Sequence, residues 1–267
     1  MISQAERARL LSHVDVLDQG DGPVVALAHG AGGGVRQNFS PLIDGLAERR
    51  FVGPYYPGAG GTPLATGPLS VDGLADTVVA AALAAGARRF PVVGLSLGAA
   101  VAVTAATRHP EHVSALVLTV GLTHPDAQSS AFATVWQRLA EHDDLHTLAE
   151  LILLGAGSPA TLASLTPGEH AEAVRAIRRD YPAGGATHVE LVSRTDVRPL
   201  LASIEVPTLV VVGGQDRIVL PSTVRELAAG IRSAELVEYP GAGHIFTPAE
   251  AKRWTSDISG FLDRLPA

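Results

Sequence analysis

The chain has 267 residues, 46% of them hydrophobic and 18% charged, with a formal net charge of −7. This composition fits one large globular core and excludes disorder, and the acidic balance argues against a phosphate-binding face and hence a nucleic-acid partner. The absence of cysteine rules out disulfides, thiolate metal sites and a cysteine nucleophile.

The first residues, Met1-Ile-Ser-Gln-Ala-Glu-Arg7, hold no long apolar stretch, and no run reaches the roughly 18 apolar residues of a membrane span. The expectation is a soluble, cytoplasmic protein with no membrane partner. In chain order, strands are expected over residues 14–17, 24–28 and 51–55. A helix with Ser70 as its cap runs over 75–85 and ends at Gly86. A strand over 90–95 leads directly into a helix over 97–108, which stops before His109-Pro110. The strand over 115–120 follows. Between 122 and about 203 the rhythm breaks: helical patterns at 130–141, 145–154, 167–180 and 188–201 occur with no strand among them. Strands over 208–212 and 236–239 bracket a helix over 221–231, and an amphipathic helix over 248–265 closes the chain. Alternating strands and helices indicate a parallel sheet covered on both faces. The predicted fold class is therefore α/β, with residues 1–121 and 204–267 as core and 122–203 as an inserted helical cap.

The chemistry concentrates in three places. Gly94-Leu95-Ser96-Leu97-Gly98 lies between a strand and a helix, where a serine on a sharp turn needs small neighbours and projects its hydroxyl above the sheet. Alone the pattern is weak, because a glycine-bracketed turn serine is common. Asp216, in Gly213-Gly-Gln-Asp216, and His244, in Gly241-Ala-Gly-His244, each follow a later strand. The order Ser, Asp, His, with each residue at a strand's C-terminal end, is that of hydrolases built on parallel sheets. Ser96 is thus the candidate nucleophile, His244 its base and Asp216 the acid that orients the histidine. Asp126 is a rival acid, less well placed. The third place is Ala28-His29-Gly30-Ala31-Gly32-Gly33-Gly34. Acyl transfer needs two preorganised N–H donors for the oxyanion, and the amides of Leu97 and Ala31 are the candidates. The loop lacks the lysine and Ser/Thr of a phosphate-binding P-loop and does not complete a dinucleotide fingerprint. No cofactor is expected.

These segments, with Tyr56-Pro-Gly-Ala-Gly-Gly-Thr62, resemble the α/β-hydrolase superfamily over essentially the whole chain. The likeness is greatest to capped esterase, lactonase and haloperoxidase-like members, and Gly94-Leu-Ser-Leu-Gly-Ala99 is similar to the elbow of enol-lactone hydrolases. Two departures stand near the pocket: Pro54-Tyr55-Tyr56 where the family usually has an aspartate, and Ala59 where a histidine is common. For His29 the resemblance implies a structural hydrogen bond.

The remaining histidines show no metal spacing, since Asp143-Asp144 between His142 and His146 reads as a solvated helix start; no metal is expected. Trp136 in the cap is expected to touch substrate, and Tyr56 to line the opposite wall. The sequence therefore points to cleavage of a small carboxylic ester or lactone, the partner being a largely apolar molecule with a carbonyl. Carbon–carbon hydrolysis, thioester cleavage, perhydrolysis and elimination or cyclisation are alternatives on the same fold. A non-catalytic ligand-binding homologue is the alternative from another class.

Overall fold

A computed structural model describes residues 2–265. Its seven strands are β1 (Val16–Gln19), β2 (Val24–Ala28), β3 (Arg50–Pro54), β4 (Phe90–Leu95), β5 (Val113–Thr119), β6 (Thr208–Gly213) and β7 (Ala234–Tyr239). They form one sheet in the order β1-β3-β2-β4-β5-β6-β7. Only β1 runs antiparallel to its neighbour; β2 to β7 are mutually parallel.

The inner strands read as largely apolar runs because both faces are buried, whereas the edge strands β1 and β7 carry exposed polar residues. Ala26, Val92, Leu116 and Val210 point to one face, where they pack with α3 (Val71–Ala84), α4 (Leu97–Arg108) and α11 (Pro221–Gly230). Val25, Val93, Val117 and Val211 point to the other, against α2 (Val35–Gly45) and α12 (Pro248–Asp263). A short α1 (Gln4–Leu10), with Ser3 as its N-cap, precedes the sheet.

Six helices lie between β5 and β6: α5 (Ala127–Glu141), α6 (Leu145–Ala156), α7 (Pro159–Ser164), α8 (Pro167–Asp180), α9 (Gly185–Ser193) and α10 (Arg198–Leu201). They carry a small core of their own, formed by Ala133, Trp136, Leu148, Ile152 and Val189. The single helix expected over 188–201 is two helices. Asp196 accepts the Arg198 amide at 3.0 Å and Pro199 starts the second, so the first cannot continue. Among the described residues, no helix is long and apolar enough to cross a membrane.

Candidate active site

Ser96 sits where β4 turns into α4, with φ 55° and ψ −118°. A left-handed residue with a side chain costs of order 1–3 kcal/mol and persists only where its surroundings enforce it. Its neighbours supply that enforcement. A Cβ on Gly98 would lie 1.8 Å from the Ala28 carbonyl oxygen, and one on Gly94 would lie 2.2 Å from that of Gly98. The two glycines thus record how closely α4 approaches β2 and β4. The Ser96 amide is held by the Thr119 carbonyl at 3.0 Å.

His244 and Asp216 occupy the loops after β7 and β6, and backbone hydrogen bonds stitch those loops together. The Gly214 amide donates to Tyr239 at 2.9 Å and the Gln215 amide to Ala242 at 2.8 Å. Oδ2 of Asp216 lies 2.7 Å from Nδ1 of His244. The other oxygen accepts the amides of Ile218 at 2.8 Å and Val219 at 3.0 Å, so the buried carboxylate is satisfied on both sides. Since a carboxylate only accepts, Nδ1 carries the proton, and in the neutral imidazole Nε2 keeps the lone pair. Among the described residues, neither Nε2 nor the Ser96 hydroxyl has a hydrogen-bond partner, and both side chains front one cavity of about 330 Å³. Asp126 is occupied elsewhere: it caps α5 through the Ser129 amide at 2.8 Å and accepts the Thr223 hydroxyl at 2.8 Å.

The loop after β2 is pinned peptide by peptide. Asn38 Oδ1 accepts the Gly30 amide at 2.7 Å. Nδ1 of His29 donates to the Gly30 carbonyl at 2.8 Å, while its Nε2 accepts the Tyr56 amide at 2.9 Å. Holding the Gly30 carbonyl also aims the Ala31 N–H, which points the opposite way across the same planar trans peptide. That N–H has no partner among the described residues, and Ala31 lines the cavity. Leu97, the first residue of α4, has an amide that no intrahelical carbonyl can reach. His29 is fully buried, and that burial, followed by the nearness of His188, lowers its pKa to about 3. It is therefore a neutral structural donor and acceptor.

Trp136 lines the cavity and packs on the same loop: a Cβ on Gly32 would meet its ring at 2.5 Å. Its indole N–H donates to the Tyr181 hydroxyl at 3.0 Å, and Phe132 meets the ring edge-on. Tyr56 requires a correction. It does not line the cavity but lies 1% exposed behind the loop, stacked on His29 at 3.7 Å between ring centroids. Its amide is needed by His29, which turns the side chain into the core and away from the pocket. Asn38 and His188 carry no signal in the sequence. Their partners, Gly30 and Gly32, are 8 and 156 residues away, and no spacing marks such pairs.

The sequence profile of the alpha/beta hydrolase fold matches residues 23–248 of the chain. The chain belongs to the α/β-hydrolase family. A pyrrolizixenacetamide deacetylase from Xenorhabdus hominickii is 33% identical, over 86% of this chain and 88% of the relative. A pimeloyl-[acyl-carrier protein] methyl ester esterase from Xanthomonas campestris pv. campestris is 31% identical, over 95% and 100%. Among solved structures, the enol-lactonase from Burkholderia xenovorans shares the fold with a TM-score of 0.81 at 22% identity, over 94% of this chain and 96% of that one.

In this α/β hydrolase the inserted helices touch both halves of the site. The Ile245 amide donates to the Ala156 carbonyl at 3.0 Å, tying the loop of His244 to the end of α6. On the other side, His188 of α9 reaches the loop of Ala31. The cavity between is mainly apolar, with Phe132, Trp136, Ile152, Val192, Ile218 and Phe246 in its wall. Among the described residues no lysine or arginine lines it, and Asp180 is the one carboxylate on its wall.

Proposed function

We propose that this protein hydrolyses a small, neutral carboxylic ester or lactone through an acyl-enzyme on Ser96. The observation that carries the reading is the Asp216–His244 pair, which makes Nε2 the acceptor of the neutral imidazole at the cavity that Ser96 fronts. His244 takes the hydroxyl proton as Ser96 Oγ bonds to the carbonyl carbon. The resulting oxyanion is received by the amides of Ala31 and Leu97. The carbon–oxygen bond to the leaving group breaks, and the proton on His244 passes to that alkoxide. Water, deprotonated in turn by His244, attacks the acyl carbon; the bond to Ser96 Oγ breaks, His244 returns the proton to that oxygen, and the acid is released.

The inserted helices act in this reading as a cap over residues 122–203, with Trp136 against substrate. An apolar wall without a cationic side chain suits a neutral acyl or alkyl body and leaves an acidic substrate group uncompensated. The likeness to a deacetylase and a methyl ester esterase supports chemistry at an acyl carbonyl.

Intact-protein mass after treatment with a fluorophosphonate tests the assignment. One adduct on the wild type and none on Ser96→Ala is expected, with ester turnover of that variant down on the order of 10⁴–10⁶-fold. Equal labelling of both, or retained turnover in the variant, would overturn it.

A further inference from the structure

The loop that carries Ala31 is pinned from three sides, and one of the pins comes from the inserted helices. Asn38 holds the peptide before Gly30, and His29 holds the peptide between Gly30 and Ala31. The next peptide, between Ala31 and Gly32, is met by His188 of α9, whose Nδ1 accepts the Gly32 amide across 3.4 Å. His188 is itself fixed. Its Nε2 donates to the Pro57 carbonyl at 3.0 Å, and it is completely buried. The start of α9 is seated on the same turn, because the Gly184 amide donates to Gly58 at 3.0 Å and a Cβ on Gly184 would lie 2.1 Å from the Pro57 oxygen. Edge-on contacts of the His188 ring with His29 and Tyr56, both at 5.9 Å between centroids, complete the packing.

We propose that His188 is a positioning residue for the oxyanion hole, through which seating of the inserted helices on the Pro57-Gly58 turn aligns the Ala31 amide. The inference rests on the acyl-enzyme reading above. Ala31 is the hinge between two peptide planes. With only His29 in place, the Gly30–Ala31 plane is held at its oxygen alone, and the Ala31 N–H can swing as the following plane turns about the φ and ψ of Ala31. His188 removes that freedom from the far side. The contact is long for a hydrogen bond, so its effect lies in restricting orientation more than in binding energy. A donor misaimed by around 1 Å can cost up to about 100-fold in rate without altering ground-state binding. Burial lowers the pKa of His188, which keeps the ring neutral and Nδ1 able to accept.

Three substitutions separate the two ring nitrogens. His188→Asn places an oxygen where Nδ1 stands and keeps an acceptor for Gly32. His188→Gln keeps a donor for Pro57 but offers nothing at the Nδ1 position. His188→Leu keeps bulk and removes both. Each is assayed, beside wild type and Ser96→Ala, for kcat and KM on p-nitrophenyl acetate, inhibition by phenylboronic acid and thermal unfolding. The expected result is a kcat lowered about 10- to 100-fold in the Leu and Gln variants, with KM within about threefold of wild type. Boronic acid affinity, which reports tetrahedral geometry at the serine, should fall in parallel. The Asn variant should recover most of both. Should His188→Leu fail to fold, the Asn and Gln pair decides. Asn and Gln losing kcat equally, or a folded Leu variant at wild-type kcat, overturns the proposal while leaving the acyl-enzyme reading intact. A wild type as inactive as Ser96→Ala overturns both.

Discussion

The imidazole of His29 stacks on the ring of Tyr56 with 3.7 Å between centroids and accepts that residue's amide at Nε2, 2.9 Å away. The pair builds a neutral histidine into the floor of the site, with consequences for stability in acid. Burial, and then the neighbouring His188, lower the pKa of His29 to about 3, and burial shifts His188 in the same direction. In the unfolded chain both titrate near 6.5. Below that value the unfolded chain takes up protons that the folded one refuses. Stability is therefore full above about pH 6.5 and falls as pH drops toward 3, by up to about 1.4 kcal/mol per unit for His29 alone. Urea unfolding at about pH 7 and about pH 5 should show roughly 2 kcal/mol lost from this source. His29→Asn should be less stable at pH 7 but flatter across the interval; an unchanged slope would refute the assignment.

Tyr56 offers a test with the opposite sign. Its hydroxyl is buried and has no hydrogen-bond partner among the described residues. Burial also pushes the phenol pKa up. A buried hydroxyl without a partner costs desolvation and returns nothing, so Tyr56→Phe should range from neutral to about 1 kcal/mol more stable. Ester turnover should be unaffected, because the ring lies outside the cavity. A loss of more than about 1 kcal/mol by urea unfolding would mean that the hydroxyl is engaged.

Glycines at two helices should respond in contrary ways to alanine. At Gly98 the new methyl would sit 1.8 Å from the Ala28 oxygen, and that atom belongs to the inner strand β2. Gly98→Ala is expected to lose about 3 kcal/mol or more, or to fail to fold. Gly260 lies inside α12, and a methyl added there would have its nearest outside atom 3.9 Å away, at the flexible end of Arg264. There the substitution only lowers the entropy of the unfolded chain and should add about 0.5–1 kcal/mol. Thermal unfolding of both variants reads the contrast directly.

The sheet is legible in the sequence because burial on both faces leaves uninterrupted apolar runs, and β4 and the helix after it fall at the expected bounds. Helix α2 is not legible: it starts after Gly34 without a side-chain cap, opens on Val35-Arg-Gln-Asn38 and contains Pro41. Asn38 is hidden with it. Ser96 and Asp216 stand out because each follows an apolar strand by a few residues at most, and His244 because it closes the glycine turn after β7. His188 does not, since its meaning depends on where α9 lands, and that is set by the close approach of Gly184 to Gly58. Tyr56 misleads for a related reason. Its position after β3 suggests the pocket, whereas the neighbouring His29 draws it beneath the loop.

Asp216 and Asp126 give the sharpest comparison for the chemistry, because each accepts backbone amides but they differ in their side-chain partners. At Asp216 the partner is Nδ1–H of His244 at 2.7 Å. In Asp216→Asn, one oxygen can still accept the Ile218 and Val219 amides, so the loop should keep its shape. The amide nitrogen then faces Nδ1 as a donor. The imidazole answers by moving its proton to Nε2, where it can no longer accept from Ser96. In the comparable protease substitution this change of tautomer costs about 10⁴-fold in kcat, and a loss of that order is expected here. At Asp126 the side-chain partners are the hydroxyls of Thr223 at 2.8 Å and Ser129 at 3.1 Å, and no hydrogen bond joins it to the imidazole. Asp126→Asn retains a good helix cap and should lose less than about 1 kcal/mol of stability, with kcat within a few-fold of wild type. Steady-state kinetics on the two variants, normalised to folded protein by circular dichroism, separates them. Similar kcat losses in both, or the larger loss at Asp126, would reverse the roles assigned to the two acids.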